Sequence, residues 1–586
     1  MFRAVRCCIE SVIRQYIDDR PQVETQGSFH DTPIAVEPPN DRGHGDLYTN
    51  AAMVFAKKVG KDPRELASSL CDALTKMPEV TSASIAGPGF VNIKISDEVW
   101  RRKIGEIICL RNEYGRTTIY DGLPVNVEFV SANPTGPLHT GHARNAVLGS
   151  VISNLLERIG YDVTREFYIN DQGGQIKSLA RSVYLRYQEK FGVEIPDGAF
   201  TADMYCGEYI KHIADALAMV HHDKFLDKDE TEWMDIFCRF SIDSMMENAK
   251  EDLALIGITM DKYTSEAELC RKGMIDQAIS ILKKRGDVCD GILPRPKGIA
   301  DDDEWEEHPQ MLFNSTKYGD DVDRVIQKSD GAWTYFAGDL AYHLDKIKRG
   351  YSKLIAILGA DHGGYLKRLS AAVNAMSDGD VGFEIRLYQL VNFLEGGVPV
   401  KMSKRSGNFI TLKEVVERVG KDITRYMMIS RHHDVMIDFD FAKVVECTMD
   451  NPLFYVQYSY ARICSVIRHY ESIFGKVDES ELATCDVSCI GDELEMNLVK
   501  ALAYWPEQVK AAAISLEPHR IPKHLSDVAY NFHALWNGGK VNSELRFINR
   551  EDKEETMARL ALLLATKIVI EDGFDIIGIT PMSEMR

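Results

Sequence analysis

His139 and His142 stand three residues apart where a loop rich in proline and glycine gives way to a helical pattern, "SANPTGPLHTGHARNAVLGS", residues 131–150. Gly136 and Pro137 suit a turn after a strand. Gly141 removes a Cβ where the helix begins, so a flat ring or a phosphate can approach the backbone. The helix N-terminus supplies a positive dipole end, and two imidazoles across its first turn can donate to one anion. This pattern predicts a site for nucleotide phosphates at the carboxyl end of a sheet strand. Capping or surface histidines share the same spacing, so a second element is needed to decide.

That element is "VPVKMSKRSGNFI", residues 398–410, which offers Lys401, Ser403, Lys404 and Arg405 before two flexible positions, Ser406 and Gly407. A helix is predicted to begin near Thr411. The run is either a solvated basic loop or a clamp on a polyphosphate, where charge develops as pyrophosphate leaves. A lysine pair in so acidic a chain favours the clamp. No G-x-x-x-x-G-K-[ST] is present, which excludes a P-loop NTPase.

Three regions must position these residues. Residues 1–115 open with a helix, pass through "EPPNDRGHGDLYTNAA", and continue as a helical run into "DPRELASSL", where Asp62 can cap and Pro63 can occupy the first turn. "TSASIAGPGFVNIKIS" then predicts two strands around a tight turn, completing a small α+β module. Residues 116–440 follow a strand–helix–strand rhythm, with "PVNVEFV", the helix from Gly141, "YDVTREFYI", and a second unit in "LIAILGADHGGYLKRLSAAVNAM" followed by "FEIRLYQLVNF". This is an α/β, Rossmann-like parallel sheet. Residues of about 172–330, with "ADDDEWEEH", read as one insertion hung on it. Residues 441–586 are helical throughout.

Composition bounds the function. With 586 residues, several domains are needed. The 45% hydrophobic and 27% charged fractions are those of a soluble globular protein, and a formal charge of −20 excludes indiscriminate coating of nucleic acid. Twelve scattered cysteines fit reduced cytoplasmic thiols. Cys485 and Cys489 lack a second ligand pair, so no structural zinc is expected. The N-terminal stretch carries Glu10, Asp18 and Asp19, which argues against a transit peptide. "LALLLATKIVI" is cut by Lys567, so no membrane span is expected.

The pairing of "HTGH" with "KMSK" resembles the two hallmarks of class I aminoacyl-tRNA synthetases, and the surrounding text resembles the arginyl-tRNA synthetases. "VEFVSANPTGPLHTGHARNAVLG", "FYINDQGGQI", "KMSKRSGNFITL" and "NPLFYVQYSYARICSV" are similar to that family's stretches. "GHGDLYTNAAMVFAK" and "IAGPGFVNI" look like its N-terminal additional domain, and the last region like its helical anticodon-binding domain. Arg405 stands where many class members have serine. The resemblance implies catalytic roles for His139, His142, Lys401 and Lys404, and an ATP site of Pro137, His139, Gly141, His142, Lys401, Met402, Ser403 and Lys404. It implies arginine binding by Glu128, Asn133, His142, Tyr335, Asp339 and His362. A guanidinium needs carboxylates to hold it out of water, which suits Glu128 and Asp339, although an ordinary structural ion pair is the alternative for both. Tyr335, four residues before Asp339, would face the same pocket.

What the resemblance implies in full is ATP-dependent ligation of L-arginine to its tRNA through arginyl-adenylate, with Mg²⁺ arriving on ATP and no metal held by protein side chains. Activation would wait for bound tRNA, and no editing domain would be required. An RNA face is expected around Tyr335, Arg425, Arg431, Arg462 and Arg468, with Tyr455, Tyr458 and Phe532 as possible stacking residues or as core. A monomeric cytoplasmic enzyme is expected. Competing readings are an HxGH nucleotidyltransferase, disfavoured by chain length, and a cysteine-specific synthetase, disfavoured by the missing zinc ligands. A non-catalytic paralogue is disfavoured by the intact histidines and lysines.

Overall fold

The computed structural model describes residues 1–18, 34–39, 42–293, 309–400 and 409–585. Lys401, Met402, Ser403 and Lys404 therefore lie outside the described residues, as does "ADDDEWEEH". By compactness the chain divides into two units, one of residues 1–114, 462–504 and 530–569, the other of 115–461, 505–529 and 570–586.

The larger unit is built on a five-stranded parallel sheet. Its strands, across the sheet, are Gly382–Tyr388, Lys353–Gly359, Pro124–Glu128, Asp162–Ile169 and Lys262–Ser265. The first strand in sequence, Pro124–Glu128, thus lies between the second and the fourth. This is the point where winding reverses and where an open α/β sheet leaves a crevice at its carboxyl edge. The strands are apolar on both faces, with Val125, Val127, Leu354 and Ile355 at most 1% exposed, because helices cover both sides. An exception is polar and hydrogen-bonded: Glu166, 0% exposed, accepts bonds at both oxygens from Arg349 at 2.9 and 2.8 Å and one from Asn126 at 2.6 Å.

Helix Thr140–Arg158 follows the first strand and is buried along most of its length. Gly149 is required there, since a Cβ would lie 2.1 Å from the Phe129 ring. At its far end Arg158, 3% exposed, pairs with Asp572 at 2.6 Å and Asp575 at 2.5 Å.

The region expected to be one insertion is interrupted, because Lys262–Ser265 pairs with Asp162–Ile169 as the edge strand of the main sheet. Before it stand three helices, Gly174–Lys190, Glu208–His221 and Glu230–Leu255, which share their own apolar core around Leu179, Leu217 and Phe237. After it comes a three-stranded antiparallel sheet of Val288–Gly291, Gln310–Phe313 and Arg324–Gln327. The sequence pattern "FEIRLYQLVNF" is likewise split between Gly382–Tyr388, in the main sheet, and Val391–Glu395, which pairs with Ile437–Asp440.

The smaller unit holds the expected N-terminal module. Strands Val80–Ala86 and Phe90–Ile95 form the hairpin around Gly87 and Gly89, and Leu47–Thr49 adds to its other edge. Asp62 caps Pro63–Leu74 by accepting the Arg64 N–H at 2.9 Å. From Phe441 onward every helical or extended element of the described chain is a helix. Within this unit Arg559 and Glu495, at most 4% exposed, pair at 2.9 Å.

Arg425 was expected on an RNA face, and the structure corrects this. It is 1% exposed, its guanidinium donating to the carbonyls of Ile577 and Ile256 and to Ser150 Oγ. Burial pulls its pKa down to about 10. Phe532, offered as a stacking residue, is 0% exposed and is core. Gly578, at φ +79°, lets the chain pass this guanidinium, since a Cβ would stand 2.7 Å from it. Gly578→Ala is accordingly expected to cost on the order of 2 kcal/mol and to lower the thermal midpoint in a circular-dichroism melt. A wild-type melt would show the contact to be slack.

Candidate active site

The first strand ends at Glu128, and the chain then bends through positive φ at Val130 (67°) and Ser131 (39°). Such backbone at non-glycine residues is costly and needs outside support. Asn145 gives it, accepting the Val130 N–H at 2.7 Å while donating to the Ile357 carbonyl of the neighbouring strand at 2.9 Å.

The two histidines close the helix they introduce. His139 is the N-cap, and its Nδ1 accepts the Gly141 N–H at 3.0 Å. His142 Nδ1 accepts the His139 N–H at 3.2 Å, completing a reciprocal capping box. Their rings stack at 3.9 Å. Both readings of the pair therefore meet in one geometry. Because each Nδ1 is an acceptor, a neutral ring must carry its proton on Nε2, which makes that nitrogen the donor. A Cβ at Gly141 would lie 2.8 Å from His139 Cε1, so glycine is needed for the ring to sit here.

The segment after the lysine run is bonded to this turn. Thr140 N–H donates to the Ile410 carbonyl at 3.1 Å, Leu412 N–H to the Leu138 carbonyl at 2.8 Å, and His139 and Thr411 form an antiparallel bridge. Thr411 also caps helix Leu412–Val419 with Glu414 in a second capping box, at the position the sequence predicts. Arg144, two residues beyond His142 and 0% exposed, donates to the carbonyls of Gln389, Val435 and His432 at 2.7, 2.8 and 2.9 Å.

Carboxylates gather at the edge of the same sheet. Glu128, 8% exposed, is paired with Lys346 Nζ at 2.6 Å and accepts the Ser131 hydroxyl at 3.1 Å. Burial opposes its charge, but Lys346 outweighs burial and its pKa falls. In this structure the Glu128 oxygens are engaged by Lys346 and Ser131 rather than standing free. Asp339, on helix Tyr335–Lys348, is different. Burial pushes it up to about 7, Arg368 pulls it back, and the neighbouring Glu128 and Glu266 push it further up. Among the described residues no lysine or arginine forms an ion pair with it. Glu266, also raised by burial and by Asp171, belongs to the same negative group.

An open cleft of about 650 Å³ lies alongside, lined by Asn133, the Gln172–Gln175 turn, Lys177, Arg181, Tyr335 and Tyr365. Asn133 donates to Gln175 Oε1 at 3.1 Å. Tyr335, 84% exposed, lines the cleft, whereas Asp339, one turn on, is partly buried. His362 is exposed in the short turn Ala360–Tyr365 after the fourth strand, near Asp361. Pro137 and Gly141 are half-buried beside the histidines. Arg431 and Arg468 are exposed, and Arg462 lies over the Trp536 ring at 4.8 Å. Sequence reasoning missed Glu266, Lys346 and Tyr209, which stand in no motif and reach the site only through the fold.

Three family models match the chain: an arginyl tRNA synthetase N terminal domain over residues 8–95, a class I (R) tRNA synthetase catalytic domain over 104–465, and a DALR anticodon binding domain over 456–585. The chain belongs to the class I arginyl-tRNA synthetases. An arginine–tRNA ligase of Parvibaculum lavamentivorans is 49% identical over 95% of each chain, and one of Wolbachia pipientis is 48% identical over 94% of each. A putative arginyl-tRNA synthetase of Campylobacter jejuni superposes with a TM-score of 0.70 at 29% identity, covering 84% of this chain and all of that one. The Thermus thermophilus arginyl-tRNA synthetase gives 0.70 at 19% identity over 99% of this chain and all of that one, a likeness of fold.

In this synthetase the cap geometry has a direct consequence. Gly141→Ala should displace the His139 ring and raise the KM for ATP several-fold while leaving the KM for arginine within twofold. Equal changes in both constants, measured by pyrophosphate exchange, would contradict it.

Proposed function

We propose that this chain joins arginine to its tRNA in two steps, and that the residues around His139 and Asp339 carry the first. The arginine carboxylate attacks the α-phosphate of ATP, pyrophosphate leaves, and the arginyl group then passes to the terminal adenosine, first to its 2′-OH. No side-chain nucleophile is required, so catalysis rests on positioning and charge stabilisation. Membership in the family supports the overall reaction. Asp339 is the single observation that carries the placement of the amino acid: a carboxyl held near neutrality by burial and by Glu128 and Glu266, with no ion-pair partner among the described residues. A guanidinium entering there relieves the mutual repulsion of the group, and a neutral amino acid cannot.

His139 and His142 are assigned to the triphosphate through Nε2, assisted by the positive end of helix Thr140–Arg158. Pro137 and Gly141 leave room for the nucleotide. Lys401, Met402, Ser403 and Lys404 are assigned to the leaving pyrophosphate. Asn133 and Tyr335 flank the cleft where the amino acid and the tRNA end would meet, and His362, in the turn Ala360–Tyr365, is assigned to the amino acid as well. Glu128 supports this site through Lys346 and Ser131 rather than by a direct fork. Mg²⁺ enters bound to ATP. Arg431, Arg462 and Arg468 remain on the proposed RNA face. The domains are assigned as 1–115, 116–440 and 441–586, and the enzyme as a cytoplasmic monomer. No described helix is long and apolar enough to cross a membrane.

The test is ATP–pyrophosphate exchange over the amino acids, with and without tRNA. Exchange is expected with arginine and only when tRNA is present; exchange with another amino acid would overturn the reading. Lys404→Ala should lower the rate tenfold or more, about 1.4 kcal/mol of lost stabilisation of the departing charge, with the arginine KM near wild type.

The Asp339 carboxyl sets a pH dependence. Its folded pKa lies above the unfolded value, so the arginine-free protein loses stability as pH rises from about 4 to about 7, where the buried group is forced to ionise. Guanidinium binding needs the ionised form. The arginine KM should therefore fall as pH rises from about 6 to about 8, with a proton released on binding at the lower end. Asp339→Asn should raise the arginine KM far more than the ATP KM and flatten this profile; an unchanged profile would remove Asp339 from the binding site.

A further inference from the structure

Arg144 and Asn145 are adjacent on helix Thr140–Arg158, just beyond His142, and both are buried, at 0% and 5% exposure. Consecutive helical residues point about 100° apart, so the two side chains leave the helix toward different neighbours. Arg144 donates to the carbonyls of Gln389, His432 and Val435, which lie just before the two paired strands that bracket the lysine run in sequence. Asn145 meets other segments. Its Oδ1 accepts the Val130 N–H at 2.7 Å, and its Nδ2 donates to the Ile357 carbonyl at 2.9 Å.

The segment that Asn145 holds is strained. Val130 and Ser131 stand at φ of 67° and 39°, and a β-branched residue in the left-handed region persists only where its surroundings fix it. The bend has a product. It lets the Ser131 hydroxyl donate to Glu128 at 3.1 Å while accepting the Tyr168 N–H at 3.1 Å, and it leads the chain to Asn133 in the cleft. The Ile357 end matters equally, because strand Lys353–Gly359 runs on into the Ala360–Tyr365 turn that carries His362. One amide therefore joins the histidine helix to both segments assigned to the amino acid, while the residue before it joins the same helix to the segments around the lysine run.

We propose that Arg144 and Asn145 divide the positioning of the site between its two substrates: Asn145, through the Val130–Ser131 bend, sets the amino-acid half, and Arg144 sets the half that holds ATP and the departing pyrophosphate. The proposal rests on the assignment of His139, His142 and the lysine run to ATP, and of Asn133, Asp339 and His362 to arginine. Neither Arg144 nor Asn145 touches substrate. Each acts through backbone groups, and a helix held on both sides keeps the two substrates aligned without reorganisation at the moment of reaction.

The test uses the full chain carrying Asn145→Ala, Arg144→Lys, or Asn145→Ala together with Val130→Gly. The KM for each substrate and the rate of tRNA-dependent pyrophosphate exchange, scaled to active sites by titration, are measured beside thermal melts. Asn145→Ala is expected to raise the arginine KM about tenfold, the effect of leaving two buried backbone groups without their partner, with the ATP KM within about twofold of wild type. Arg144→Lys keeps the charge but cannot span three carbonyls. It should raise the ATP KM and lower the exchange rate, each about fivefold, with the arginine KM within about twofold. Glycine adopts positive φ without support, so adding Val130→Gly to Asn145→Ala should recover most of the arginine KM. A merely structural role would lower the melting midpoint and the active fraction while leaving the constants per active site unchanged, and that outcome overturns the proposal. Equal changes in both KM values for either variant overturn it too, as does a double variant no better than Asn145→Ala alone. If the wild-type enzyme exchanges with an amino acid other than arginine, the function assignment fails, and the split between the KM for ATP and the KM for that amino acid still decides this proposal.

Discussion

The short antiparallel pairing of Leu138–Thr140 with Ile410–Leu412 is the contact on which the site depends. These segments lie far apart in sequence, and each leads directly out of or into one of the two chemical motifs. Two or three backbone hydrogen bonds are weak as net stabilisation, about 1 kcal/mol each. They are strong as a geometric constraint, because peptide groups leave little freedom in register once the pairing is made. Each segment is then locked independently: His139 and His142 cap one helix, while Thr411 and Glu414 cap the next. The same residues thus end a helix and aim side chains, so the local rule for starting a helix also builds the site.

Arg144 extends this logic. It is a fully buried cation with three backbone carbonyls and no carboxylate among the bonds it makes at its two terminal nitrogens. Burial brings its pKa down to about 10, still well above neutrality, so it stays charged. A lysine could not span three carbonyls, whereas the planar fork of arginine can. The effect is to bind the histidine helix to the starts of Val391–Glu395 and Ile437–Asp440, the paired strands between which the lysine run lies in sequence. Buried charge in this molecule is used mainly for such joints: Arg349 on Glu166, Lys346 on Glu128, Arg425 on two carbonyls and a serine.

The letters that report their role locally were readable in the sequence. A cap such as Asp62 or Thr411 depends on neighbours two or three residues away, and the H-x-G-H junction carries its own glycine requirement, so these were placed correctly before any fold was known. The parallel sheet followed from the alternation of strand and helix. Lys262–Ser265 was not legible, since four residues give no usable period and its partner strand lies beyond three helices. Burial of charge was not legible either. Arg425 and Arg431 differ by six positions in one basic run, yet one is 1% exposed and the other is open to solvent. Glu128 was visible as a candidate, but the lysine that occupies it comes from Lys346, more than a domain-length of sequence away. Tyr209 belongs to no motif, because what it recognises is a backbone carbonyl.

Under the proposed function, the carboxylate group beside the cleft makes the site selective by leaving Asp339 without an ion-pair partner among the described residues. Glu128 and Glu166 are neutralised by Lys346 and Arg349 and can be buried at modest cost. Asp339 sits beside Glu128 with no such partner among the described residues, and burial raises its pKa. A cation of the right shape relieves their mutual repulsion on entering. An uncharged side chain of similar length leaves the repulsion in place, and a lysine supplies a compact charge without the planar fork that meets a carboxylate at two points. Under the proposed function discrimination then comes from the protein's own unfavourable term rather than from a tight cavity, which fits a binding region that is an open cleft lined by amides, tyrosines and charged side chains rather than a closed apolar pocket. Under the proposed function this is also why no second, corrective site is needed, because an incorrect amino acid fails at a charged group instead of at a missing methylene.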